Sequence, residues 1–229
     1  MNEKHVTKTH LSISELFYSL QGESTRAGLP CAFIRLAGCN LRCRYCDSKY
    51  TWENQGEPRT LTEIGNWLDR YPGVMVELTG GEPLLQEGIY PLLDALLDRG
   101  RTVLLETNGS LGIERVPAGV SVILDIKCPD SGMHERTDWQ NIALLAARKR
   151  KGSGDEIKFV LSSVRDFEWA KAVIDRYQLD RLAVPLLFSP VPELLAATTL
   201  AGLILQHRLP VRLQLQLHRL LWPDRDRGV

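Results

Sequence analysis

The sequence predicts an α/β fold built as a partial (incomplete) TIM-like (β/α) barrel, and three observations carry that prediction. Segments of strand and helix character alternate along most of the chain, the pattern of βαβ units around a parallel sheet. Four strands alternate apolar and polar residues, whereas a parallel strand buried on both faces should be apolar throughout. Their polar positions lean towards the C-terminal strand ends, where barrels gather their sites, and a cysteine-rich loop leaves the end of an early strand.

In chain order, residues 1–10 are a polar N-terminal tail and residues 11–20 read as a first strand. A Gly-bearing loop from Gln21 to Pro30 leads into a second strand at 31–37, which runs directly into the cysteine loop. Thr60-Leu61-Thr62-Glu63 is a capping box, so a helix opens there and ends near Tyr71-Pro72. Strands follow at 74–79, 102–108, 120–127, 156–162, 181–187 and 211–218, with helices at 87–99, 138–150, 164–177 and 192–207. The chain is expected to form one domain over residues 1–229, with 223–229 as a flexible tail.

The alternation assigns faces. Val74, Val76 and Leu78 oppose Met75, Glu77 and Thr79; Val103, Leu105 and Thr107 oppose Leu104, Glu106 and Asn108. Val122, Leu124 and Ile126 oppose Ile123, Asp125 and Lys127, and in 211–218 the odd positions are apolar while Arg212, Gln214, Gln216 and His218 are polar. A half-solvated edge strand explains 211–218 equally well. Four strands sharing the pattern favour a cavity lined by the inner face.

Composition excludes several classes. Twenty-eight basic and 28 acidic residues cancel, so no clustered positive charge marks a nucleic-acid partner. The run Arg148-Lys149-Arg150-Lys151 reads as the solvated last turn of a helix. No apolar stretch is long enough to span a bilayer, and the polar N-terminus lacks a signal-peptide core. Thiols crowded into one loop fit a reducing, cytoplasmic setting.

That loop is Gly38-Cys39-Asn40-Leu41-Arg42-Cys43-Arg44-Tyr45-Cys46-Asp47-Ser48. The spacing C-x3-C-x2-C lets one loop wrap its thiolates around a single metal centre, as ferredoxin-type runs do. A structural zinc site takes four ligands, commonly from two paired knuckles. Here Cys31 and Cys128 stand alone, as a small strand residue and a loop thiol, and the five histidines are not in ligand spacing. Three ligands on a four-iron cluster leave one iron open, which is a catalytic arrangement.

Other candidates sit at strand ends. Thr79-Gly80-Gly81-Glu82-Pro83 lets backbone approach a ligand and offers a carboxylate, though Gly-Gly before a helix is more often only a tight turn. Glu106-Thr107-Asn108-Gly109 and Asp125-Ile126-Lys127 end the next strands. Arg35 shares a strand face with Cys31 and Phe33, where its guanidinium needs an anion. An internal Glu and a substrate carboxylate serve that need equally well.

The cysteine loop with its Tyr45 resembles the signature of radical S-adenosylmethionine (SAM) enzymes, in which the open iron chelates SAM. Phe17 to Ser24, Gly28 to Cys39, Cys46 to Ser48, Thr79 to Pro83 and Gln216 to His218 together resemble the 7-carboxy-7-deazaguanine synthase family over residues 13–222. The resemblance implies a partial barrel of the radical SAM type. It also implies conversion of 6-carboxy-5,6,7,8-tetrahydropterin to 7-carboxy-7-deazaguanine with loss of ammonia, in queuosine and 7-deazapurine biosynthesis. It implies a [4Fe-4S] cluster on Cys39, Cys43 and Cys46, and Mg2+ at Ser48. SAM is expected beside Tyr45, Asp47, Gly80, Gly81, Glu82, Asn108, Asp125 and Lys127. The pterin is expected at Leu20, Gln21, Gly22, Glu23, Arg35, Thr79 and His218. A reductant protein such as flavodoxin and a homodimer are implied partners, with neither nucleic acid nor membrane.

Two departures stand out. Asp125-Ile126 occupies a position where many relatives carry Ser-Pro, and the chain continues past His218 to Val229. The alternatives are an activase that installs a glycyl radical on a protein substrate, and a zinc-stabilised interaction module.

Overall fold

Residues 9–148 and 154–229 are described by the computed structural model, and in them the alternation becomes one open sheet with helices along its outer face. The expected N-terminal tail (its residues 1–8) and Lys149, Arg150 and Lys151 of the basic run lie outside the described residues. The strands are β1 (His10–Leu20), β2 (Pro30–Leu36), β3 (Glu57–Thr60), β4 (Met75–Gly80) and β5 (Val103–Thr107). They continue as β6 (Ser121–Lys127), β7 (Glu156–Leu161), β8 (Leu186–Pro190) and β9 (Arg212–Leu213). The spatial order is β3-β1-β2-β4-β5-β6-β7-β8-β9. β1 pairs antiparallel with β2 and β3, and every pairing from β2 to β9 is parallel. Among the described residues β3 and β9 do not meet, so the barrel is partial, as the sequence implies.

The helices are α1 (Tyr50–Glu53), α2 (Leu61–Leu68), α3 (Ile89–Asp98), α4 (Gln140–Ala147), α5 (Val164–Tyr177), α6 (Ala197–His207) and α7 (Leu217–Leu221). The capping box forms: Glu63 N donates to Thr60 Oγ1 at 3.1 Å, and Thr60 N to Glu63 Oε2 at 2.7 Å. Ser163 caps α5, accepting from Asp166 N at 3.2 Å. Among the described residues no helix is long and apolar enough to cross a membrane.

The two faces of the strands do different work. The outer face places Ile34, Leu36, Val76, Leu78, Val103, Leu105, Leu124, Ile126 and Phe159 against Ile64, Leu93, Leu96, Phe167, Ile174 and Leu200 of the helices, all in one buried core. Removing one such leucine side chain costs about 2–5 kcal/mol. The inner face starts with a smaller apolar plug of Phe17, Cys31, Phe33, Met75, Leu104 and Ile123, with the two Phe rings stacked 4.6 Å apart. Two residues further along each strand the same face returns, and it is now polar: Arg35, Glu77, Glu106 and Asp125. The plug is the floor of a cavity and the polar layer lines it.

Four boundaries depart from the sequence reading. The strand expected at 181–187 is β8, starting at Leu186. Gln178 adopts a left-handed conformation (φ 51°) that ends α5, and a 3-10 turn at Leu179–Arg181 fills the gap. The strand expected at 211–218 shrinks to Arg212–Leu213. Beyond it the chain is drawn off the sheet: Gln214 Oε1 accepts from Ser24 N at 2.7 Å, and Leu217 N donates to Gly22 O at 2.9 Å. The expected faces hold in part: Val211 and Leu213 pack on the outer core while Gln216 and His218 line the cavity, though Leu215 is exposed. The helix expected at 192–207 begins at Ala197, because Ala196 is extended. Arg148 is not a solvated helix end. It pairs with Asp155 at 3.2 Å and donates to Val116 O and Val120 O at 2.8 and 2.6 Å. Cys128 is fully buried directly after β6.

Candidate active site

One cavity lies at the C-terminal ends of the parallel strands. It is lined by the cysteine loop, the turn after β4, the tips of β5 to β7, the loop after β1 and the C-terminal segment. The cysteine loop leaves β2 at Gly38, whose positive φ of 88° is one that glycine tolerates. Gly81 after β4 packs so close that a Cβ there would sit 1.8 Å from Gly38 O. The two loops therefore dock backbone to backbone: Gly81 N donates to Leu36 O at 3.1 Å and Glu82 N to Gly38 O at 2.8 Å. The Gly-Gly pair thus seats the cysteine loop itself.

Cys39, Cys43 and Cys46 all line this cavity, half-buried and unbridged, without converging on a single ion-sized point among the described residues. Cys39 Sγ accepts from Leu41 N at 3.4 Å and Asn108 Nδ2 at 3.7 Å. Burial pushes the Cys43 thiol up to about 11, only partly countered by Lys127. Burial likewise raises the Cys46 thiol against the backbone N–H of Ser48. Thiols in this state become thiolates when a cationic iron centre binds. N–H donors aimed at sulfur suit such a cluster, so the donor set fits.

Around the loop, Tyr45 Oη donates to Val160 O at 3.1 Å, and Ser48 Oγ donates to Asp47 Oδ1 at 2.9 Å. Burial presses the Asp47 carboxyl up, but Arg35, Ser48, Lys158 and His218 together hold it below its ordinary value. Lys127 Nζ donates to Asp125 Oδ2 at 2.8 Å, and Asp125 Oδ1 is buried without a partner. Gly80 and Asn108 also face the cavity. Glu82 does not. Its carboxylate is fully buried and accepts from Asn108 N at 2.7 Å, Thr107 Oγ1 at 2.9 Å and Leu84 N at 3.0 Å. It is a strut joining the ends of β4 and β5, and burial pushes its pKa up to about 7.

The other half of the cavity gathers residues distant in sequence. Arg35 Nε donates to Glu15 Oε1 at 2.7 Å, and Tyr50 Oη donates to the same oxygen at 2.8 Å. The internal Glu thus exists, and Arg35 still lines the cavity beside Thr79, whose Oγ1 donates to Glu106 Oε2 at 3.2 Å. Gln21 Nε2 donates to Glu77, a buried carboxyl that burial, Glu106 and Glu23 push well up. Lys158 on β7 is buried between Glu23, Glu106 (2.6 Å) and Asp125 (3.9 Å). Glu23 also accepts from Gln214 Nε2 at 3.0 Å and Gln216 Nε2 at 2.9 Å. Leu20 and Gly22 complete this wall. A Cβ on Gly22 would lie 2.2 Å from His218 Nδ1, so only glycine admits the imidazole there. Burial lowers the His218 pKa, keeping it neutral over a wider range.

Lys158, Glu77 and Trp52 line the cavity, and Glu15 stands against Arg35 and Tyr50; the motif reading misses all four. Lys158 carried a legible signal, since Glu156, Lys158 and Val160 alternate with Ile157, Phe159 and Leu161 as in the four noted strands. The segment expected as a flexible tail is placed along the cavity. Trp222, Arg225, Asp226 and Val229 line it, Gly228 N donates to Glu15 Oε2 at 3.2 Å, and the Arg227 guanidinium stacks 4.3 Å from the Tyr50 ring.

The model of the Radical SAM superfamily matches residues 33–126. A 7-carboxy-7-deazaguanine synthase of Chlorobaculum tepidum is 46% identical over 224 residues, 97% of this chain and 99% of the relative. Its counterpart from Koribacter versatilis is 38% identical over 233 residues, 96% and 100% of the two chains. Among solved structures, QueE from Escherichia coli superposes with a TM-score of 0.74 at 23% identity, covering 95% of this chain and 99% of that one. At that identity the likeness shows the fold alone.

Proposed function

The chain belongs to the 7-carboxy-7-deazaguanine synthase family, and from that premise we propose how its residues divide the work. The enzyme is a radical SAM lyase that converts 6-carboxy-5,6,7,8-tetrahydropterin to 7-carboxy-7-deazaguanine with release of ammonia, a radical ring contraction in 7-deazapurine biosynthesis. When bound, a [4Fe-4S] cluster held by Cys39, Cys43 and Cys46 would with SAM supply the radical chemistry that removes a hydrogen atom from the pterin.

Cys39, Cys43 and Cys46 hold the cluster, with Asn108 and the Leu41 amide donating to Cys39 sulfur. Tyr45, Asp47, Gly80, Gly81, Asn108, Asp125 and Lys127 form the SAM wall, and Glu82 supports that wall from behind. Leu20, Gln21, Gly22, Glu23, Arg35, Thr79 and His218 form the pterin wall, where Arg35 takes the carboxylate on the side of its guanidinium that Glu15 leaves free. Ser48 presents a hydroxyl for Mg2+, which keeps several waters and asks little of the protein. These residues orient the reactive carbon and exclude water and stray hydrogen donors. A single functional domain, a cytoplasmic setting, a flavodoxin-type reductant and a homodimer complete the proposal.

The observation that carries this reading is one cavity in which three unbridged thiols face a bed of fixed charges containing Arg35. Such a bed suits a small carboxylated heterocycle better than a glycyl-radical protein substrate. The test is anaerobic incubation of the reconstituted enzyme with SAM, Mg2+, a strong reductant and the pterin, read by mass spectrometry. The expected result is 7-carboxy-7-deazaguanine; 5′-deoxyadenosine without that product sinks the substrate assignment.

A further inference from the structure

Lys158 is a charged side chain buried at considerable desolvation cost. It sits on the inner face of β7, opposite Asp125 in register, and its side chain is 6% exposed. Three carboxylates, Glu23, Glu106 and Asp125, surround its ammonium. A buried ion pair seldom repays its desolvation cost, and an apolar residue here would extend the plug formed by Leu104 and Ile123. Stability alone does not account for it.

Its contacts show what it organises. Glu23 comes from the loop after β1, Glu106 from the tip of β5 and Asp125 from β6. Through Glu23 the network reaches Gln214 and Gln216, which lead into α7 and His218. Lys158 is the point where these separate segments are pinned together inside the cavity. A pterin presents ring N–H and amino donors as well as a carboxylate. Donors need acceptors held still, and a cation between two neighbouring half-buried carboxylates favours their ionised form.

We propose that Lys158 is the positioning residue of the substrate wall, fixing Glu23 and Glu106 as anionic acceptors for the N–H donors of the pterin. The inference rests on the enzyme reading above and adds a residue to it. Lys158 acts through the two carboxylates, and its longer 3.9 Å pairing with Asp125 is a weaker link to the SAM wall.

The test uses the reconstituted full-length enzyme with Lys158→Gln and Lys158→Arg. In Lys158→Gln the Glu106 carboxyl loses the ammonium that holds it below its ordinary value, so it takes up a proton more readily. The turnover rate at limiting pterin therefore rises with pH over a range where the wild type is flat, and the ratio of 5′-deoxyadenosine to product increases. SAM affinity changes less than pterin affinity, and the electron paramagnetic resonance spectrum of the reduced cluster stays as in the wild type. Lys158→Arg keeps the charge, so its pH profile stays flat. Its larger planar head displaces the carboxylates, so KM for the pterin rises at least several-fold while KM for SAM does not. If Lys158→Gln fails to fold, the arginine variant decides the matter alone. An unchanged pterin KM in Lys158→Arg, or loss of SAM binding together with pterin binding in either variant, overturns the proposal. A wild type that forms no product from the pterin refutes the enzyme reading instead.

Discussion

The two halves of the cavity are built on different plans. The cluster half is local: three thiols within eight residues, seated by backbone contacts between Gly38 and the Gly81–Glu82 turn. The substrate half is assembled from Glu15 to Gly228 by charged side chains, with Arg35, Lys158 and Glu23 as its nodes. A backbone-built loop holds a cluster wherever three cysteines fall in it, and it tolerates changes in the surrounding side chains. A side-chain network is specific to one ligand and fails piecewise. The halves should therefore respond to mutation in different currencies, loading in one and coupling in the other.

The largest expected effect is in the cluster half. Cys43→Ala removes one of three ligands, so iron content and SAM cleavage both fall to background in the reconstituted protein. Retention of a reducible four-iron cluster by this variant breaks the comparison outright, because the loop would then not be the site. In the substrate half, Arg35→Lys keeps a charge but gives up the planar fork, a loss of about 1.5–3 kcal/mol and so about 10- to 100-fold in kcat/KM for the pterin. Iron content and SAM affinity stay put. A parallel loss of cluster shows that the two halves are one network.

A third variant tests the backbone plan directly. Gly81→Ala drives a methyl group into Gly38 O, 1.8 Å away, and either the β4 turn or the cysteine loop must shift. The expected cost is at least about 1–3 kcal/mol of stability, read by chemical denaturation, with reduced iron loading. Wild-type loading and stability would show that the loop holds its shape without this contact.

The difference between the halves also explains what the sequence disclosed. Cysteine spacing, the capping box at Thr60 and the period-2 faces of β4, β5 and β6 are local signals; the capping box and the faces form where the residues place them, and the three cysteines line one cavity. Lys158 was legible in the same alternation but carries no motif, so only its partners mark it as part of the site. The segment 211–218 shows Gln216 and His218 to the cavity as the alternation implies, but two non-local bonds, Gln214 to Ser24 and Leu217 to Gly22, draw it off the sheet after Leu213. The segment 223–229 reads as solvent-exposed by composition, and its contacts with Glu15 and Tyr50 lie some 175 to 215 residues away in the chain.

Glu82 gives the smallest and sharpest test, because the motif assigns it to SAM while its carboxylate faces Leu84, Thr107 and Asn108. Burial raises its pKa from an ordinary carboxylate value to about 7. A group raised in the folded state contributes stability that is fully present below the unfolded pKa, about 4.3, and lost as pH rises through the folded value. Between these limits Glu82 should therefore cost the wild type stability as pH rises, by about 4 kcal/mol or less at about 1.4 kcal/mol per unit. Glu82→Gln removes its share of the pH slope and leaves the part due to Glu77 and Glu156, measured by denaturant titration of the apo-protein from pH 4.5 to 7.5. The strut reading expects SAM affinity in the loaded variant to change little beyond what the shifted Asn108 amide transmits. If the slope is unchanged and SAM affinity collapses, the carboxylate turns outward to the ligand, and the cluster half relies on side chains as much as its counterpart does.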